Sequence, residues 1–186
     1  MNNQNDISLP LIDALLSFGA YKAALIDAAA VETDVSFRTM CESNACGLYG
    51  KCWTCPPDVG NIDALMDELR GYSHALVYQT VSELEDSFDV EGMFEARKIF
   101  NSITMRVRKL FAEQNIKDAL HLGAGGCGVC ESCAKRTNEP CRSPELATSS
   151  LEAYGVNVSK LASSAQMKYI NGADTVTYFG AVFFNI

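Results

Sequence analysis

The chain has 186 residues, of which 48% are hydrophobic, so it can bury a core and we expect one domain over residues 1–186. Its formal charge of −8 argues against a nucleic-acid-binding surface, because such a surface needs clustered Lys and Arg. An acidic exterior either suits docking of a basic protein partner or only keeps the chain soluble. The first residues lack the basic segment of a signal peptide and no run of about 18 uncharged apolar residues occurs, so we expect a soluble, cytoplasmic protein without membrane contact.

The first half of the chain contains two predicted helices and two predicted strands. Residues 9–17 favour a short helix, and residues 21–31 form an apolar run of a length typical of a buried strand. Asn61 is a helix-capping residue and Gly71 a helix stop, which predicts a helix between them. The apolar run 75–81 then predicts a second strand.

The second half begins with a longer helix. Apolar residues recur at spacings of three and four over residues 93–110, which predicts an amphipathic helix packed on a sheet, with the seam of a homodimer as the alternative. Residues 119–122 predict a short strand. A Ser-Pro start followed by a glycine stop predicts a helix over 143–154, and a further helix is expected over 159–169. The aromatic and β-branched segment 175–184 predicts a closing strand.

Two cysteine-rich loops, at residues 41–57 and 123–144, interrupt these elements. The alternation of elements predicts an α/β or α+β fold, a single layered domain with about four strands and helices packed on the sheet. In a reducing cytoplasm, eight cysteines are better explained by metal ligation than by disulfides. The candidate ligands are Cys41, Cys46, Cys52, Cys55, Cys127, Cys130, Cys133 and Cys141.

The second cysteine group has the more diagnostic spacing. Cys127, Cys130 and Cys133 are separated by two residues each, which is the closely spaced triplet with which bacterial-type ferredoxins bind a cubane cluster. Cys141 is the nearest candidate for the fourth iron. The glycines within 123–128 permit close backbone approach, so that peptide N–H groups can point at cluster sulfides. This group predicts a [4Fe–4S] cluster.

The first cysteine group places four cysteines within fifteen positions and ends in Cys55-Pro56-Pro57, a Cys-Pro sequence that also closes ferredoxin loops. It predicts a second [4Fe–4S] cluster. Two saturated four-cysteine sites leave no free nucleophile and no open iron, which favours the relay of single electrons to a redox protein partner over catalysis. The ligands of the two clusters can also interleave between the groups, as they do in two-cluster ferredoxins.

Zinc is the main alternative to iron–sulfur. Two Cys-x2-Cys pairs build closed tetrahedral sites, so Cys52 and Cys55 together with Cys127 and Cys130 could form one zinc site in a structural or interaction module without redox activity. The triplet argues against this, because such a site leaves four thiols unused. Reactive redox thiols are a third interpretation. A fourth is an enzyme whose cluster, held by Cys127, Cys130 and Cys133, keeps one iron open.

Several other features receive the ordinary interpretation. Residues 123–128 match a dinucleotide-binding glycine pattern, but the cysteine triplet occupies the place of the required helix. His121 precedes the second group and can tune or ligate a centre, although a hydrogen-bonded structural histidine is the simpler expectation. The acidic run within 83–91 predicts a solvated loop. Trp53, between Cys52 and Cys55, either shields a metal centre from solvent or only packs in the core.

The two signatures together carry a family resemblance. The stretch Cys-Gly-Leu-Tyr-Gly-x-Cys-Trp-x-Cys-Pro-Pro and the stretch Gly-Ala-Gly-Gly-Cys-x-x-Cys-x-x-Cys, followed by Cys-Arg-x-Pro, resemble a family of uncharacterised prokaryotic proteins, a domain of unknown function predicted to bind metal. The resemblance extends to Leu-Glu-Ala-Tyr-Gly-Val at 151–156 and to the closing segment at 175–180. It implies a metal site and an anaerobic setting that would protect clusters from oxygen, but no agreed activity.

Overall fold

The computed structural model describes residues 4–116 and 118–186. The helices of this part are α1 (Gln4–Ser17), α2 (Ser36–Glu42), α3 (Ile62–Arg70), α4 (Val90–Glu113) and α5 (Val158–Ser164). The strands are β1 (Lys22–Asp27), β2 (His74–Glu83), β3 (Ala119–Gly123), β4 (Ser149–Ser150) and β5 (Thr175–Phe184). No helix in the part that the structure describes has the length and apolar character needed to cross a membrane.

The strands form one open mixed sheet in the order β1-β2-β5-β3-β4. β2 pairs antiparallel with β1 and β5, and β5 pairs antiparallel with β3. The short β4 is parallel to β3, with Ser149 beside Leu122 and Ser150 beside Gly123. Helices cover both faces, so the predicted layered fold with helices on the sheet is confirmed, and β4 is added to the four predicted strands.

The two faces of the sheet are separated by the alternation of side chains along β2. Ala75 and Val77 join the core that α3 and α5 cover, whereas Leu76 and Tyr78 join the core that α1 and α4 cover. Successive side chains of a strand point to opposite faces, so one strand supplies both cores. The predicted stripe of α4 packs on its own sheet: its buried residues include Phe100, Ile103 and Val107.

Element boundaries were predicted best where a side chain caps the end. The Asn61 side chain accepts hydrogen bonds from the backbone N–H groups of Asp63 and Ala64, and α3 ends at Arg70 before Gly71, as predicted. The predicted strand at 175–184 is confirmed in full as β5. The acidic run is more ordered than a solvated loop, because Asp89 is the N-cap of α4.

The helix predicted over 143–154 is wrong. The chain makes one turn after Ser143, then pairs with β3 through β4, and only Glu152–Tyr154 forms a 3-10 turn. The three consecutive hydroxyl residues at 148–150 are weak helix formers. Their backbone instead forms hydrogen bonds with the free edge of β3. The predicted glycine stop is correct, since Gly155 ends the 3-10 turn with φ +75°.

Two further segments are shorter than predicted. The helix expected over 159–169 ends at Ser164, because Gln166 adopts φ +54° and Met167 N–H donates to the Ala162 carbonyl at 2.8 Å, the Schellman end of a helix. The strand expected within 21–31 is the edge strand β1, which is half-buried and not fully buried.

Candidate metal centre

The first cysteine loop leaves the end of α2 and returns to α3. Cys55 N–H donates to the Cys52 carbonyl at 3.0 Å, which closes a turn and brings the two side chains of the Cys-x2-Cys pair onto one side. Both side chains are buried, whereas Cys41 is half-buried and Cys46 is exposed. The loop is held near its tip by a 2.9 Å hydrogen bond from Gly50 N–H to the Pro56 carbonyl.

The second cysteine loop begins at the end of β3, as the sequence predicts. Its glycines lie beneath a basic side chain: the Arg97 guanidinium donates to the Gly126 carbonyl and lies over Gly125, where a Cβ atom would come within 3.4 Å of it. Gly125 itself has φ +66°, a conformation that favours glycine. The four cysteines of this loop are all half-buried, and Cys133 starts the 3-10 turn Ala134–Thr137.

The two loops meet at one cavity although 65 residues lie between them in the sequence. Its wall contains five of the eight thiols, namely Cys52, Cys127, Cys130, Cys133 and Cys141. Gly126 lies close to the first loop: a Cβ atom there would lie 2.6 Å from Leu48 Cδ1 and 3.6 Å from Cys55 Sγ. A glycine here lets the loops pack without displacing the Leu48 side chain.

An ion pair and an indole hold the loops together. Trp53 Nε1 donates to the Glu139 carbonyl at 2.9 Å, and Lys135 Nζ lies 4.3 Å from the centre of the Trp53 ring. The Lys135 ammonium also pairs with Asp58, and the two side chains are only 17% and 16% exposed. Trp53 lines the shared cavity next to Cys52, where its ring can shield the cavity from solvent. The same side chain also packs against Lys135 and donates a hydrogen bond.

Removing this ion pair should loosen the junction of the loops. Lys135→Met leaves the mostly buried Asp58 carboxylate without its counter-ion, so we expect a loss of about 3 kcal/mol in the free energy of unfolding, measured with urea. The double variant Asp58→Asn, Lys135→Met should recover part of this loss, because no charge is left buried alone. Equal or larger destabilisation of the double variant would contradict the role of the pair.

The buried pair Cys52 and Cys55 has perturbed acid–base properties. A hydrogen bond from Cys55, assisted by Thr54, lowers the pKa of Cys52 against the opposing effect of burial. The same bond and burial raise the pKa of Cys55. The pair thus releases its first proton more readily than its second. A thiolate is the form that binds metal, so this arrangement favours Cys52 as the first ligand of the pair.

The donor set fits a thiophilic metal centre. Soft thiolates select iron–sulfur clusters or zinc over hard cations, and the chain offers eight free thiols on two touching loops. Within residues 4–116 and 118–186, no three Cys, His, Asp or Glu side chains are grouped tightly enough to hold a single metal ion. Five of the thiols line a cavity at the junction of the loops, and the described thiols do not form a closed tetrahedron.

His121 lies away from this junction. Its ring contacts Phe111 edge-on at 5.5 Å between ring centres, and it does not line the cysteine cavity. Burial, with a smaller effect from the charge of Arg108, lowers the pKa of His121 to about 3. Its Nδ1 atom is buried without a hydrogen-bond partner in the described part of the chain. The expectation of a hydrogen-bonded histidine is therefore not met at this atom.

His121 should make the protein less stable in acid. The folded state keeps the imidazole neutral down to about pH 3, whereas the unfolded chain takes up a proton below about pH 6.5, so stability is lost as the pH falls through this window. Between pH 8 and pH 5 the wild type should lose about 2 kcal/mol more unfolding free energy than His121→Leu. Effects of the cysteines are common to both proteins and cancel. Parallel losses in the two would show that His121 is not buried neutral.

Sequence reasoning missed the contacts that join the loops. Lys135, Asp58 and Arg97 lie in no motif, and Leu48 lies in the first family signature, which does not indicate a contact with the second loop. The only sequence signal was Gly126 itself, since a glycine beside a ligand indicates close packing. Its contact partner lies in the other loop and is not encoded by local spacing.

One comparison with known proteins assigns the chain to a family that is predicted to bind metal. The model of the family described as "Predicted metal-binding protein (DUF2284)" matches residues 24–184. The chain therefore belongs to this family, which confirms the resemblance to a domain of unknown function that is predicted to bind metal. No curated protein and no solved structure matches the chain.

Proposed function

We propose that this member of a predicted metal-binding family is an iron–sulfur protein of the reducing cytoplasm that relays single electrons to a redox protein partner. The proposed ligands are the four cysteines of each loop, one [4Fe–4S] cluster per loop. When bound, such clusters accept and donate one electron at a time.

The observation that carries the proposal is the meeting of the two loops. Cys52, from the first loop, lines the same cavity as the four thiols of the second loop. A protein that passes electrons between two centres needs them side by side, whereas two structural zinc sites have no such requirement. The spacing of the triplet adds support, because successive thiolates two residues apart suit neighbouring irons of one cubane.

The residues around the cavity would control solvent and potential. The glycines at 125, 126 and 128 leave the loop backbone free of side chains, so that peptide N–H groups can point at bound sulfide, which raises a cluster potential. Trp53 is held over its side of the cavity by Glu139 and Lys135 and would exclude water there. The glycine backbone and the Trp53 ring both belong to this chain, so neither effect needs a partner protein.

The test is the content of iron, acid-labile sulfide and zinc per chain in protein purified without oxygen, together with its visible spectrum. Two cubane clusters predict about eight irons, about eight sulfides and a brown colour. About one or two zinc ions without sulfide would overturn the proposal and make the chain a zinc-stabilised module.

A further inference from the structure

The loop segment around Cys127 is packed against α4. Arg97 and Asn101 lie four positions apart on this helix, which places them on the same side, one turn from each other. The Arg97 guanidinium donates to the Gly126 carbonyl, and a Cβ atom at Gly128 would overlap the Asn101 amide. The helix therefore contacts the residue before Cys127 and the residue after it.

The peptide group between Gly126 and Cys127 connects α4 with the first cysteine loop. Its carbonyl accepts the hydrogen bond from Arg97, and its N–H is that of Cys127. The hydrogen bond from Cys55 has the largest effect among those that lower the pKa of Cys52, and the backbone N–H of Cys127 adds a donor to the same sulfur. One peptide group thus joins the Arg97 guanidinium to the sulfur of a proposed ligand on the other loop.

Arg97 differs from the other cations near the cysteines in its surroundings. It is half-buried and forms no ion pair within residues 4–116 and 118–186. The other basic residues that line the cleft between α4 and the loops are exposed, namely Lys51, Lys98 and Arg136, and Lys98 pairs with Glu95 at 2.6 Å. Salt screens exposed charges much more than partly buried ones. Of these four cations, Arg97 is therefore the one whose charge acts most strongly on the thiols.

The arrangement favours the accumulation of negative charge at the sulfur atoms. A hydrogen bond to the carbonyl of a peptide polarises it, so that its N–H becomes a stronger donor. A cluster held by thiolates gains one negative charge when it is reduced, and its potential depends on net charge and on hydrogen bonds to sulfur. A cation and a donor at this place both stabilise the reduced form.

We propose that Arg97 is a positioning residue of the iron–sulfur centre, which directs the Cys127 N–H at the Cys52 sulfur and, with its own charge, raises the reduction potential. This inference deepens the proposed function and rests on it. It gives α4 a role in setting the potential at which electrons pass, in addition to its place in the core.

The test is a potentiometric titration of the full chain, purified without oxygen, for the wild type and three variants of Arg97. Arg97→Met removes both charge and donor, and it should lower the equilibrium constant for reduction of at least one cluster about tenfold, which is about 59 mV for one electron. Arg97→Lys keeps the charge and should retain most of the wild-type potential. Arg97→Gln keeps only a neutral donor and should lie between the other two variants.

The order of these potentials separates the proposed role from a structural one. A residue that only holds the loop in place would change stability or iron content, without the order Lys, Gln, Met in the potentials. If Arg97→Met retains too little iron to titrate, the comparison of Arg97→Gln with Arg97→Lys measures the effect of the charge. Equal potentials of these two variants would overturn the proposal.

A matched control removes an arginine from the same helix at a place without contact to the cysteine loops. Arg106 is exposed and contacts Phe18, to which it donates a hydrogen bond at 3.2 Å. Arg106→Met should leave both cluster potentials unchanged, and a shift equal to that of Arg97→Met would overturn the proposal, because it would reflect net charge alone. Iron-replete Arg97→Met with wild-type potentials would overturn only the role of Arg97. Wild-type protein without iron and sulfide would overturn the proposed function, and this role with it.

Discussion

Cys130→Ala should remove about half of the iron and sulfide of the protein, from about eight to about four of each per chain. Cys130 is the central residue of the triplet and lines the shared cavity. Alanine offers no ligand, so one iron of the cluster would face solvent and the cluster would be lost. Iron, sulfide and visible absorbance measured on the same oxygen-free sample give the result.

The neighbouring Ser132→Ala is the control for this variant, because it changes the same loop without touching a thiol. Ser132→Ala should retain the full iron content.

Cys46→Ala, in the exposed part of the first loop, should remove the other half of the iron and sulfide. Unchanged iron in Cys130→Ala would contradict the assigned ligands. Complete loss in both single variants would show one centre shared by the loops in place of two clusters.

The predictions that succeeded depend on local physics. α3 is bounded by a side-chain cap at Asn61, and β5 is defined by its own β-branched and aromatic residues, so both could be located without knowing their neighbours. The helix expected over 143–154 failed for the converse reason. Its local start signal was outweighed by pairing of Ser149 and Ser150 with β3, a contact that sequence spacing does not reveal.

The site was predicted in part for the same reason. Cysteine spacing identified both loops, but their meeting depends on residues far apart in sequence, such as Lys135 with Asp58. The net charge does not describe every part of the surface. The total is −8, whereas the cleft between α4 and the two cysteine loops is lined by the basic residues Lys51, Arg97, Lys98 and Arg136 and by one acidic residue, Glu131. An average over the chain cannot describe a cleft lined by five charges.

The packing of Gly126 makes a second large effect predictable. Gly126→Val places side-chain atoms against Leu48 and next to Cys55, so the Leu48 side chain would have to move and the contact between the two loops would be strained. We expect a loss of about 1–3 kcal/mol in unfolding free energy, as for other overpacked contacts, and a loss of most bound iron. Urea unfolding and metal content, measured without oxygen, test both expectations.

A compensating variant distinguishes this mechanism from a general effect of valine on the loop. Leu48→Ala, Gly126→Val nearly conserves the volume at the contact and removes the Leu48 Cδ1 atom, which a Cβ at position 126 would approach to 2.6 Å. The double variant should recover iron binding and most of the stability. If it is as impaired as Gly126→Val alone, the backbone of Gly126 and not its contact with the first loop is what the site requires. Recovery would mean that metal binding depends on the approach of the two cysteine loops at this residue.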